Sequence, residues 1–500
     1  MNMGAGQVGF ARTSAEGTFK PLLPSDPQDV LEAIAMYLDV QGERLLFVSV
    51  DFAQFARSFC TEVRERMSAA LDVPVDVIIF HSTHNHTGPT NEDYVLHNYP
   101  LDDLVDCLVG VSKEAIDTAV PARMALAVAD VGNRYSLCRR KWLNDDIANV
   151  TNWYGYKNDM PRGALANHLI RERLDRWFGP DFPDPEWLKE PIYYDEPVDP
   201  LVQLLAFEDE RGNSLGGMIR FAAHPHLMNG AKPLLYATDY CGPARRWLDR
   251  QRGGIHLFGE GPQGNLVPRE TTEFVVQPGK PNWADSPYGP DGSLVAADTD
   301  DLRRDVWEMG EGLAVQAFEA LQQAEYKPLE TLEVRTCWHD VPMRADVPEN
   351  SKIAWEIRDE WDREIKQALK EGVSIIEMKR MADQYNRFHW MQKILDEWYM
   401  PTPGEIADKR LPVHLQAIRL NDVLLAGLPA ETGRDTTLWL RAHTVGRNLI
   451  TLQQCNGDVG YVMSAQDQRG GDYEAMCSLI AEDGETVLRD GALALLSEVM

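Results

Sequence analysis

The sequence predicts an α/β fold in which layered β-sheets are flanked by helices. Three features carry that expectation: short apolar runs of strand length, amphipathic stretches between them, and histidine clusters placed directly after two of the runs. From about residue 30 to 130, strand and helix alternate. Leu45–Val50 (LLFVSV) suits a buried strand, 54–71 an amphipathic helix, and Val77–Phe80 (VIIF) a second buried strand. Residues 139–198, rich in Trp, Pro and Asp, read as an insertion with a helix near 164–177. Strand character returns at 201–207 and 217–223, and the turn-like Glu210-Arg211-Gly212-Asn213 between them predicts a hairpin.

Further on, 242–252 reads as a helix after a loop, 277–300 as a surface loop of Pro, Gly and Asp clusters, and 301–324 as a helix. The charged stretch 352–399 carries Trp355, Trp361, Trp390 and Trp398, and Gly372 divides it into an expected αα-hairpin. An amphipathic pair packed on the body is the favoured reading, with a cap over a site or a contact with a second copy as the others. Residues 413–500 mix short strands (LQAIRL, VLLAGL, LITLQQ) with a final helix.

Composition narrows the function. An apolar fraction of 44% with 25% charged residues is that of a globular protein. A formal net charge of −29 opposes nucleic acid and anionic lipid, so neither a phosphate-backbone partner nor stable membrane association is expected. No run approaches 18 apolar residues, and Met1-Asn2-Met3-Gly4-Ala5-Gly6 lacks the basic start and apolar core of a secretory leader. Seven dispersed cysteines without a CxxC pair fit reduced thiols, and the compartment expected is cytoplasmic. The partner expected is a small-molecule substrate. The four tryptophans of the long helices also allow a homo-oligomer.

Chemistry concentrates in Phe80-His81-Ser82-Thr83-His84-Asn85-His86-Thr87-Gly88-Pro89, three histidines leaving an apolar strand. Ligands gather at the carboxyl ends of strands in α/β sheets, and neutral imidazole suits zinc. In extended backbone His84 and His86 would project to one side. HxH alone is a weak motif, but Phe221-Ala222-Ala223-His224-Pro225-His226 repeats it at the end of a second strand. His81 and His226 read as hydrogen-bonded structural residues. Two histidines leave a zinc site incomplete.

These motifs, in order, resemble the neutral (non-lysosomal) ceramidase family from about Asp26 to Asp490. Leu45–Asp51 is similar to its opening strand, and Thr83-His84-Asn85-His86-Thr87-Gly88-Pro89 to its THTHSGP signature. Asn133-Arg134, Val198-Asp199-Pro200, Thr238-Asp239-Tyr240-Cys241-Gly242, Leu428-Pro429-Ala430-Glu431, Asn456–Tyr461 and Tyr473-Glu474 resemble further family segments. The resemblance implies a Zn2+ site of His84, His224, Glu431 and Tyr461, with His86, Arg134 and Tyr473 as catalytic groups. Asp239 would orient a histidine from behind, or cap the helix at 242. It implies one large catalytic domain over 1–500 with insertions at 139–198 and 352–410, and a chain ending before the family's C-terminal immunoglobulin-like domain.

One departure matters. Where the family has a serine proposed as nucleophile, Gly264-Asn265-Leu266-Val267-Pro268 places Val267, and a hydrocarbon cannot attack a carbonyl. The activity implied is therefore hydrolysis of an amide in a small polar or amphiphilic molecule by metal-activated water. Ester, lactone or glycoside hydrolysis, and a non-catalytic metal-binding homologue, are the alternatives.

Overall fold

The computed structural model describes residues 6–19, 25–91, 94, 100–143, 148–151, 196–232, 235–269, 297–373 and 375–500. The helix expected near 164–177 and most of the loop expected at 277–300 lie outside them. At the far end of that loop, Ala297–Asp298 is a short strand and the helix Thr299–Leu321 begins, earlier than expected.

The principal sheet runs, in spatial order, Ile255–Glu260, Ser214–Phe221, Leu201–Asp209, Val120–Asp130, Gln7–Ser14, Glu32–Val40, Glu43–Val50, Ile78–Ser82. Most neighbours are antiparallel, including the hairpin predicted at 201–223. The two outermost pairs, Glu43–Val50 with Ile78–Ser82 and Ser214–Phe221 with Ile255–Glu260, are parallel. Each is closed by a crossover helix, Arg57–Leu71 and Cys241–Arg252, because a parallel return must cross the sheet.

The two halves of this sheet are joined at Gln7↔Pro121 and Val8↔Val120, with Ala122 N donating to Gly6 O (2.9 Å) beside them. They turn over one another on a shared core that includes Phe47, Ile79, Leu205, Met218 and Leu257. Across the turn Ser49 Oγ donates to Phe258 O (3.4 Å) and His81 Nε2 accepts from Glu260 N (3.2 Å). The carboxyl ends of Ile78–Ser82 and Ser214–Phe221, remote in strand order, thereby meet.

A second sheet, Leu332–Pro342, Arg410–Leu420, Val423–Gly427, Leu449–Leu452, packs on that core with Ile418, Leu425 and Ile450. Its last pair is parallel, so a third pair of strand ends points the same way. The backbone at 454–456 stitches the layers together: Asn456 N donates to Phe80 O (2.7 Å) and Ser82 N to Gln454 O (3.3 Å).

The helical hairpin is Ser351–Glu371 and Ile375–Lys393, broken at Gly372, whose φ of +81° ends the first helix. It lies on the second sheet's core, with Trp361, Trp390 and Trp398 half-buried against it. The favoured packing reading therefore holds, and a π-turn at Ile394–Trp398 stacks Trp398 on Trp390. All seven cysteines are free thiols, and among the described residues no helix is long and apolar enough to cross a membrane.

Candidate metal centre

Each parallel strand pair delivers chemistry just beyond its end. His84 follows Ile78–Ser82, His224 follows Ser214–Phe221, Glu431 follows Val423–Gly427, and Tyr461 lies beyond Leu449–Leu452. Glu431 and Tyr461 are direct partners in a two-residue parallel ladder, so their side chains rise on the same side. The two histidine loops are joined by His86 N donating to Pro225 O (2.9 Å).

His84 is not in extended backbone; its φ is +58°, a conformation rare for a side-chain-bearing residue and common where a site holds strain. The ring arrangement expected from extended geometry is thus reached by a different route. Gly88 has no room for a Cβ, which would lie 2.3 Å from Asp51 O, so the loop closes tightly under His84 and His86.

His84 Nδ1 lies 2.9 Å from Ala53 O and His224 Nδ1 3.0 Å from Leu266 O. A carbonyl only accepts, so both rings carry hydrogen on Nδ1 and turn Nε2 inward. Between these nitrogens sits Glu431 Oε2, 3.3 Å from His84 Nε2 and 3.2 Å from His224 Nε2. Tyr461 Oη is 3.5 Å from His224 Nε2. His84, His224, Glu431 and Tyr461 are all buried. Ring nitrogens of His84, His86 and His224 also lie within 4.8 Å of one another, with 3.3 Å between the Nε2 atoms of His84 and His86. His86 alone of these is exposed, its ring beside those of His84, His224 and His226.

The electrostatics follow. Burial and the neighbouring positive groups, Arg139 and His84, push His224 down to about 3, against the pull of Glu431. Burial also acts to lower His84, but Glu431 outweighs it and the net direction is up. Glu431 itself is held well below the usual carboxylate range despite its burial, because His84 and His224 face it. Desolvation by the surrounding protein, then His84, His224 and His226, keep His86 well below an ordinary imidazole.

Two nitrogen lone pairs facing one carboxylate oxygen is a repulsive set unless a cation lies among them. The donors are two imidazoles, a carboxylate and a phenol, with the outer nitrogens of both rings already hydrogen-bonded, a nitrogen and oxygen set that a divalent metal takes. Among the described residues this cluster therefore fits a metal ion.

Arg134 is not brought to the cluster. It lies on an exposed turn after Val120–Asp130, with its guanidinium 5.1 Å from the Tyr135 ring centre. Arg139, five residues on, is buried, as is Arg140. Arg139 donates to Tyr461 Oη (3.0 Å), Glu474 (2.7 Å) and Gly264 O (2.8 Å), and lies over the rings of Tyr461 and Tyr473. Arg140 and Thr151 also hold Glu474 (2.6 and 2.7 Å); Arg140 and Arg139 outweigh burial and fix that carboxylate at about 2. Sequence reasoning missed Arg139, and the consecutive Arg139-Arg140 next to an apolar strand was the available signal.

Tyr473 stands 5.6 Å from the Tyr461 ring and 6.5 Å from Trp390 of the helical hairpin. Asp239 neither orients a histidine nor caps the following helix. Its oxygens accept from Met228 N (2.9 Å) and Tyr240 N (2.8 Å), fixing the turn after His226, since backbone carbonyls already hold both histidine Nδ1 atoms. His81 is structural as expected, bonded to Ser49 Oγ (2.9 Å) and Glu260 N (3.2 Å). Val267 is buried in a short strand, and its neighbour Leu266 supplies the carbonyl that holds His224. Asp458, singled out by no sequence signal, is buried beneath the cluster and pushed up to about 7 by burial and by Glu431.

No family model matches the chain, and no curated protein matches it. Solved structures do. The chain is similar to the neutral ceramidase from Pseudomonas aeruginosa, with a TM-score of 0.61 and 16% identity, over 99% of this chain and 74% of that one. It is similar also to a ceramidase complexed with C2, with a TM-score of 0.59 and 16% identity, over 99% of this chain and 75% of that one. The fold is that of neutral ceramidase.

Proposed function

We propose that this chain is a zinc-dependent hydrolase that cleaves the amide bond of a small polar or amphiphilic N-acyl substrate. The observation that carries the reading is Glu431 Oε2 set 3.3 and 3.2 Å from two Nε2 atoms whose rings are already committed on the other side. Such a set is built for a cation, and the neighbouring ceramidase structures make amide hydrolysis the natural chemistry for it. His84, His224, Glu431 and Tyr461 would hold the ion. Zinc in such a site supplies an activated water and a polarised carbonyl.

The chain's own residues do the rest. His86, exposed beside His84, holds and returns the proton that the leaving amine requires. Arg139 fixes the Tyr461 hydroxyl and presents positive charge where an oxyanion would form. Tyr473, against Arg139 and Tyr461, lines the approach to substrate. Val267 leaves no hydroxyl for a covalent acyl intermediate at that position, so attack falls to water.

Metal analysis of purified protein, followed by turnover of N-acyl compounds, esters and sugar conjugates with and without chelator, tests this. The expected result is about one zinc per chain and chelator-sensitive release of amine from N-acyl compounds, with both lost in His84→Ala and His224→Ala. Full activity in metal-free protein would overturn it, and cleavage of only esters or glycosides would move the bond while keeping the metal.

A further inference from the structure

A cavity lies away from the histidines, between the helical hairpin and the segment that leads into Tyr473. It has a volume of about 280 Å³ and includes Trp361, Lys379, Arg380, Arg469, Gly470 and Gly471 in its lining. Two acids, Glu377 and Asp383, share the wall, so three cations face two anions in a chain of net charge −29. Asp383 is committed: it pairs with Lys379 (2.6 Å) and accepts from Asp472 N (3.3 Å). Arg469 pairs at the rim with Glu482.

Arg380 makes no ion pair or hydrogen bond among the described residues, and it is exposed at the mouth. The floor is glycine by necessity. Gly471 has φ +78°, and a Cβ there would come 2.5 Å from Asp383 Oδ2. Its wall sets guanidinium, ammonium, amide and carboxylate groups beside apolar surface from Trp361 and Met381, the mixture that a small amphiphilic anion requires.

We propose that this cavity is a binding site for a small organic anion, a carboxylate or a phosphate ester. Its charged end lies against Arg380 and Arg469 and its body along Trp361. Guanidinium is the group that recognises planar carboxylate and phosphate oxygens, and Arg469 can exchange an exposed partner for a better one. The floor of the site, Gly471, has its carbonyl held by Arg140 (3.1 Å), and Asp472 caps the turn carrying Tyr473 (2.7 Å). The site therefore abuts the backbone behind the metal cluster without sharing its residues. The inference does not depend on the hydrolase reading, because its test needs no turnover.

Isothermal titration of the full chain with inorganic phosphate, and separately with benzoate, tests the site and tells the two anion sources apart. One-to-one binding of at least one probe is expected. It should weaken about tenfold or more in the double variant Arg380→Glu/Arg469→Glu. The charge-matched control Arg211→Glu/Arg410→Glu, altered at exposed positions elsewhere, and His86→Ala should bind as the parent does. Three results would each overturn the proposal: no saturable binding of either probe, equal binding by the Arg380/Arg469 variant, or loss of binding in His86→Ala.

Discussion

At His84 the chain adopts a conformation it would avoid elsewhere, and the reason is what its ring must reach. With φ at +58° and Nδ1 on Ala53 O, Nε2 has one direction left, toward Glu431. The carboxylate is thus the hinge of the cluster's electrostatics. Glu431→Gln keeps the shape and removes the charge, so metal affinity measured by competition with a chelator should fall at least about tenfold, since even outer partners of ligands matter that much. Unchanged affinity would mean that His84, His86 and His224 hold the ion by themselves. Arg139→Lys is a subtler case. It retains charge but cannot serve Tyr461, Glu474 and Gly264 O at once, so turnover should drop about tenfold or more while metal affinity stays near the parent's. How much of this was legible differs by residue. His84 and His224 announce themselves by standing at strand ends. Glu431 and Tyr461 are two among many acids and tyrosines, and only family resemblance singled them out. Arg134 was misplaced because an Asn-Arg pair carries no information on which way the turn presents it.

At the scale of the element, the two-residue ladder Glu431–Thr432 with Tyr461–Val462 is the smallest unit that sets the site. It needs Gly460. That residue has φ +82°, and a Cβ would meet the Tyr399 ring at 2.4 Å. Gly460→Ala should therefore destabilise the protein by about 1–3 kcal/mol and weaken metal binding, visible as a lower urea midpoint and a lower metal affinity. A variant as stable as the parent would show that Tyr399 and the ladder yield freely. Local elements were well marked in sequence: both buried strands before the histidines, the hairpin at 201–223, and the helix break at Gly372. Other features were not. The edge strand Leu332–Pro342 alternates too weakly to stand out, with Trp338 half exposed at 52%. The turn of the large sheet depends on a short join around Gly6–Val8 and Val120–Ala122, and no periodicity encodes such a thing.

The whole molecule is held together where three layers of backbone cross, and His81 sits at that crossing. Its ring spans from Ser49 to Glu260 N, across the turn of the large sheet, and its backbone bridges to Cys455 of the second layer. An Nε2 that accepts from a backbone N–H must be unprotonated, and burial holds the imidazole down at about 3 against 6.5 for a free one. The sign of the consequence is fixed. Between those values the unfolded chain binds a proton that the native chain refuses, so this residue's contribution makes stability fall as pH falls from 6.5 toward 3. Other buried groups add slopes of either sign, and Asp239, raised to about 7 by burial, pulls the opposite way. A difference between variants isolates the one residue. His81→Gln keeps an acceptor for Glu260 N and cannot titrate, so its unfolding free energy should depend on pH less steeply than the parent's by about 1.4 kcal/mol per pH unit, one proton's worth, over roughly pH 6 to 4. Urea unfolding of both proteins in chelator-treated form, at several pH values in that window, measures the two slopes directly. Parallel slopes would show that His81 takes up its proton without unfolding, and that the layers can part locally at this crossing while the rest of the fold stays closed.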